Sequence, residues 1–233
     1  MKIGTIDISK IYRGTTEIGK IYKGTDVILS PPVIPRNITG GSVTTSGSYT
    51  IHTFTTNDNL VVTSLGTTSE FEVLLVGGGA GGRGSFNNEG SYPAGTPGTG
   101  GGVLSGTITN LSNGTFPIVI GAAGTAGPWG GNSLTGAYGG NGGNTTFNGF
   151  IAYGGYTNGR TTTSQDSQSP LTGYGMGGNQ TSLISGSSVV YGQNGSGTSN
   201  GTGVAYGGGG AVGGFGNAGK AGGVGRFIIR YLT

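Results

Sequence analysis

Glycine makes up 57 of the 233 residues, several-fold above a usual share of roughly 7%. Only 8% of the chain is charged, which excludes the highly charged, aromatic-poor class of disordered proteins. The net charge of +3 is dispersed, with no Lys/Arg stripe of the kind that binds nucleic acid.

Residues 1–30 form the most charged zone and carry a tandem repeat. Ile8–Glu17 and Ile18–Val27 both read I-x-K-I-Y-[RK]-G-T, a short β-branched and aromatic strand closing on a Gly-Thr turn. Strands this short are barely stable alone, so the segment is predicted to pack on a partner, with Ile11, Tyr12, Ile21 and Tyr22 as the attachment residues. The plainer reading is an N-terminal cap on the main domain. Three prolines in SPPVIPRN make residues 31–40 a semi-rigid linker and the domain boundary.

From residue 41 to 233 one large domain is expected, all-β and without α-helix. Tyr49–Thr56 alternates as a strand, Asn57-Asp58-Asn59 turns, and Leu60–Ser64 returns. Glu70–Val76 is a third strand, Val103–Thr109 and Thr115–Ile120 form a pair around Asn113-Gly114, and Arg226–Leu232 closes the domain. No stretch keeps a helical period, and glycine opposes a helix by ~1 kcal/mol per residue relative to alanine.

Between the strands, glycine recurs in steps of three. An unbroken series runs through Gly207, Gly210, Gly213, Gly216, Gly219, Gly222 and Gly225, and a second from Gly121 to Gly142 is broken only at Ser133. Shorter runs sit at Gly78/Gly81/Gly84 and Gly95/Gly98/Gly101. A period of three fits the polyproline-II conformation, with glycine giving a face bare enough for close approach. With eight prolines and a shifting frame, collagen is excluded. Several short polyglycine-II helices, packed side by side as a sandwich within one subunit, are predicted instead. Such helices lack internal hydrogen bonds, so their backbone groups must pair with neighbours.

Candidate chemistry is sparse. Phe71–Gly84 (FEVLLVGGGAGGRG) contains G-x-G-x-x-G after a strand, the outline of a dinucleotide-binding turn. That turn needs a helix to start at the last glycine, and the proline- and glycine-rich residues that follow will not form one. The single histidine, His52, lies on a strand without Cys partners, and the carboxylates lack metal-ligand spacing. Glu89 and Asp166 fall in separate loops, which leaves a glycosidase-type carboxylate pair open in three dimensions; nothing in the sequence favours it, and no enzyme activity, cofactor or metal is expected. The absence of cysteine excludes disulfides. No apolar run of about 18 residues could span a membrane, and the N-terminus lacks a signal-peptide core. Glycine-poor inserts at 86–97, around Trp129 and Tyr138, and at 156–191 carry Tyr92, Trp129, Tyr138, Tyr156, Arg160, Tyr174 and Tyr191 among small polar residues. Aromatic and small polar residues on a rigid scaffold suit adaptable recognition. Each ring could equally stack over glycine faces in the interior.

The order FEVLLVGGGAGG, IVIGAAGTAG, GGNGGNTTFNGFIAYGG and GGVGRFIIRY resembles the glycine-rich domain of bacteriophage tail-fibre and receptor-binding proteins, over roughly residues 45–233. The N-terminal repeats look like segments of phage tail proteins. The resemblance implies a virion protein of the tail, made in the host cytoplasm without a signal peptide. It implies attachment to other tail proteins through residues 1–30, and loops between glycine motifs that adhere to a bacterial surface glycan or outer-membrane protein. Monomer and homotrimer both remain open. The alternatives are a structural tail or head decoration protein and, more remotely, an ice-binding protein or a depolymerase.

Overall fold

The computed structural model describes residues 2–3, 6–7, 12–13, 16–17, 21–23, 26–29, 35–66, 70–85, 95–109, 111–130, 137–157, 167–174, 180–182, 184–195, 206–211 and 217–233. The N-terminal zone pairs as three tandem hairpins rather than two repeat units. Strand β1 (Lys2–Ile3) pairs with β2 (Ile6–Asp7), β3 (Tyr12–Arg13) with β4 (Thr16–Glu17), and β5 (Ile21–Lys23) with β6 (Asp26–Leu29). In each, the register brackets a Gly-Thr dipeptide (Gly4-Thr5, Gly14-Thr15 and Gly24-Thr25). Glycine first in a two-residue connection is the preference of a tight hairpin turn. The first unit lacks the Ile-Tyr pair, so the I-x-K-I-Y pattern passes over it.

The strands that follow are β7 (Asn37–Thr39), β8 (Ser42–Ser46), β9 (Tyr49–Phe54), β10 (Asp58–Ser64), β11 (Phe71–Val76), β12 (Val103–Ile108), β13 (Gly114–Val119), β14 (Thr145–Phe147), β15 (Phe150–Ala152), β16 (Thr172–Tyr174), β17 (Gln180–Ser182), β18 (Val189–Tyr191) and β19 (Arg226–Leu232). They build two antiparallel sheets, ordered β16-β12-β11-β19-β9-β8 and β15-β14-β13-β10-β7, plus the hairpin β17-β18. No helix occurs among the described residues, so the all-β class holds.

The predicted strands are present, but both predicted hairpins are not. β9 pairs with β8 and β19, whereas β10 pairs with β7 and β13 in the other sheet. The reason is local. Gly47-Ser48, with Gly47 at φ +58, closes a tight turn between Ser46 and Tyr49 and gives β9 an upstream partner. The stretch after β9 then crosses between sheets, with the Asn57 side chain accepting from Ile120 N at 2.8 Å and Asp58 from Gly41 N at 3.0 Å. Likewise β12 joins β11 and β16, while β13 joins β10 and β14.

The sheets close on one core. Phe71, Val73 and Leu75 of β11, Phe227 and Ile229 of β19, and Leu60, Val62, Ile118 and Phe147 opposite are all buried in it. Phe227 stacks on Phe147 at 4.3 Å between centroids and lies 5.6 Å from Phe54. Leu74 and Val76 point to the other face, where Ile51, Ile184, Tyr191 and Ile228 form a second cluster. Burial on both faces explains why Val73–Val76 is a continuous apolar run, while Glu72 at the start of the strand is partly exposed.

His52 is fully buried beside the first core. The Gly40 carbonyl, 2.8 Å away, can only accept, so Nδ1 carries the proton and Nε2 accepts from the Tyr231 hydroxyl at 3.3 Å. Burial pushes the imidazole below its ordinary pKa of 6.5, against the Gly40 hydrogen bond. A depressed pKa in the folded state means that the unfolded chain takes up the proton first. Stability is therefore intact above about pH 6.5 and declines as the pH falls below it. Urea unfolding at pH 7.5 and 5.5 should show that decline in the native chain and a smaller one in His52→Gln. An equal decline in both would assign it to other groups.

Beyond β11 the chain enters a glycine array held by backbone hydrogen bonds. Every N–H from Gly77 to Ser85 is donated to a carbonyl of another segment. Gly77, Ala80 and Arg83 bond Gly102, Thr99 and Thr96; Gly78, Gly81 and Gly84 bond Gly143, Gly140 and Ala137; Gly79, Gly82 and Ser85 bond Gly223, Lys220 and Asn217. Each row advances by three residues on both sides. In return Gly124, Gly127 and Gly130 donate to Gly79, Gly82 and Ser85, Gly155 to Gly78, and Gly210 to Ala80. Segment 77–85 thus has six neighbours, and these are bonded to one another in a closed ring, ordered 96–102, 153–156, 137–143, 121–130, 217–225 and 207–211.

Close approach requires glycine along two rows of the central segment, while the third carries Ala80 and Arg83. A Cβ at Gly78 or Gly81 would strike the carbonyls of Ala122 or Thr125, and one at Gly79 or Gly82 those of Gly208 or Ala211. Segment 121–130 turns its glycine row to the centre, and Ala122, Thr125 and Ala126 remain exposed between Gly121, Gly124 and Gly127. Thr145 joins the array to the sandwich, its buried hydroxyl donating to Val76 O at 2.6 Å and accepting from Gly121 N at 2.9 Å.

Candidate functional site: the far end of the glycine array

The rows run from Gly77, next to the sandwich, to Ser85 at the opposite end. Thr96, Gly130, Ala137 and Asn217 bond to residues 83–85 there, so described residues flanking 86–94, 131–136 and 212–216 converge on this end. Residues 86–94, 131–136 and 212–216 themselves lie outside the described residues.

Two of the aromatic candidates stand here on neighbouring, hydrogen-bonded segments. Trp129 is 48% exposed and Tyr138 49% exposed, unusual values for such large rings. Trp129 follows Pro128 in segment 121–130, whose fixed φ holds the backbone as it leaves the array. Tyr138 is the second residue of segment 137–143, and the Arg83 guanidinium lies 4.5 Å from its ring centroid. Arg83 was not among the residues predicted. Its signal is that it is the one charge within the glycine run Gly77–Gly84.

The other candidates are dispersed. Tyr156 is half-buried in the array wall, its amide donating to Thr99 Oγ1 at 2.7 Å and its carbonyl accepting from Thr99 N. Tyr174 is half-buried in β16 against the second core. Tyr191 is fully buried in that core, a correction to its reading as a binding residue, because β18 turns its ring inward. The 156–191 insert is not a free loop either. Leu171 and Ile184 are buried and β16 extends the six-stranded sheet. Tyr92, Arg160 and Ile11 lie outside the described residues, while Tyr12 lies in β3 and Ile21 and Tyr22 lie in β5.

Among the described residues the buried Tyr191 hydroxyl has no hydrogen-bond partner. Because an unpaired buried hydroxyl opposes folding, Tyr191→Phe should leave stability unchanged or raise it by about 1 kcal/mol in urea unfolding. A loss of that size would reveal a partner for the hydroxyl.

Among the described residues no group of three or more His, Cys, Asp or Glu side chains could hold a metal ion. The G-x-G-x-x-G residues lie inside the array with carbonyl oxygens against them, leaving no cradle for a phosphate. The far end offers non-covalent chemistry: aromatic faces, a guanidinium and small polar groups on a rigid base.

Residues 55–203 match the glycine-rich domain family. The match spans more than half of the chain, which belongs to that family. No curated protein matches the chain.

Proposed function

We propose that this chain is a receptor-binding protein of a bacteriophage tail fibre or tail tip, adhering through the far end of its glycine array to a glycan or outer-membrane protein of the host surface. The observation that carries the reading is the convergence of exposed Trp129 and Tyr138, with Arg83, on the end where loop flanks gather. The step of three in the hydrogen-bond rows supports polyglycine-II packing beneath them. On this reading the N-terminal hairpins join the chain to other tail proteins, and multiple copies, as in a homotrimer, raise avidity.

The test is binding of labelled protein to bacterial cells, and competition by unlabelled protein for phage adsorption. Saturable binding that is lost on changing Trp129 and Tyr138 supports the reading. A folded protein that binds no cell of a phage's host range, while remaining part of the particle, would make it a structural virion protein instead.

A further inference from the structure

A second site lies where the sandwich meets the array, remote from the far end. Arg226 opens β19, and its guanidinium lies 3.6 Å from the centroid of the Tyr206 ring. Its Nε is buried without a partner, and among the described residues the Arg226 side chain makes no hydrogen bond and no ion pair. Tyr206 is held at φ +30, a conformation that non-glycine residues seldom adopt.

Arg226 lines a groove of about 350 Å³. Strand β8 contributes Ser42 and Thr44, and β9 contributes Thr53, with Thr55 just beyond its end. The turn before β18 contributes Ser185 and Ser187. Ser42 and Thr53 are cross-strand partners, and residues two apart on a strand share a face, so the four hydroxyls from β8 and β9 line one side. Among the described residues these four make no side-chain hydrogen bond to protein, and no carboxylate lines the groove.

A guanidinium fixed by stacking, unpaired, and faced by unengaged hydroxyls is a recognition geometry for oxyanions. A structural arginine at a sheet margin normally finds a carboxylate or carbonyl, as Arg230, four residues along the same strand, does with Glu72 at 2.7 Å. We propose that this groove binds an oxyanionic group, carboxylate, phosphate or sulfate, carried on a hydroxyl-bearing ligand such as an acidic sugar. Arg226 takes the anion, and the Ser and Thr hydroxyls take the ligand's neutral oxygens. The volume suits one sugar ring with its substituent rather than a polymer chain. The proposal stands apart from receptor binding at the far end, and either can fail without the other.

Calorimetric titration of the full chain with glucuronic acid, glucose 6-phosphate, inorganic phosphate and glucose tests it. The anionic sugars should bind about tenfold or more tightly than glucose. Arg226→Gln should remove that preference, and Thr44→Val with Thr53→Val should weaken the sugar acids several-fold while keeping Arg226. Inorganic phosphate binding as tightly as glucose 6-phosphate identifies the anion alone as what is read; weaker binding identifies the sugar as well. The double threonine variant keeps two β-branched strand residues, so it folds even if Arg226→Gln does not. No binding of any anion, or anion affinity unchanged in a folded Arg226→Gln, overturns the proposal.

Discussion

Gly81→Ala should cost about 3 kcal/mol or more in urea unfolding, although it adds a single methyl group. The added carbon points at the Thr125 carbonyl, and Gly81 is itself bonded to Gly140 at 2.9 Å. A clash with a flexible side chain is relieved by a new rotamer. Here the obstacle is backbone, and Thr125 O also accepts from Gly140 N at 2.8 Å. Moving segment 121–130 outward therefore breaks bonds on two sides. Ala126→Ser, on an exposed position of the same neighbour, should stay within about 0.5 kcal/mol. If the two substitutions cost alike, the close packing described for the central segment is wrong.

Trp129→Ala and Tyr138→Ala should each weaken cell binding, on the receptor-binding reading, by roughly 30-fold, the equivalent of a binding hot spot worth about 2 kcal/mol. Both rings are half-exposed, so their removal uncovers little core. Trp129→Ala should leave folding stability within about 0.5 kcal/mol. Tyr138→Ala also removes the Arg83 stack, worth about 0.5–1 kcal/mol at an exposed site. Reduced binding at unchanged stability separates recognition from scaffolding. Unchanged binding in the double variant would move the receptor contact elsewhere.

The strands were legible wherever apolar and polar residues alternate or a β-branched run is bounded by turn residues, as in Tyr49–Phe54 and Arg226–Leu232. Their partners were not. The pairing of β9 was decided by Gly47-Ser48, a turn signal outweighed in the sequence by Asn57-Asp58-Asn59. The three-residue glycine period was equally plain, but a backbone bond carries no side-chain identity, so nothing in the period says which segments adjoin. One signal was available: Gly77–Gly84 has two full glycine rows, Gly78/Gly81/Gly84 and Gly79/Gly82, whereas the flanking run 121–130 has one. The site divides similarly. Trp129 and Tyr138 sit beside glycines in segments that end at the far face, whereas Tyr191 closes the β-branched run Val189-Val190 and belongs to a strand. Arg83 gives a weaker signal, a single charge inside a motif whose glycine spacing speaks only of backbone.

Strand β19 lies between β9 and β11, and segments 217–225 and 207–211 complete the ring around 77–85. Residues made early are thus held by residues made late, and many native bonds span well over a hundred positions. Folding of the sandwich and array must wait until nearly all of this sequence has left the ribosome, and loop closure on that scale makes it slow. In the interval β11 can pair with β12 on one edge, but its other edge lacks β19 and the faces of Val73–Val76 lack Phe227, Ile228 and Ile229, so apolar surface and an open strand edge stay exposed to aggregation.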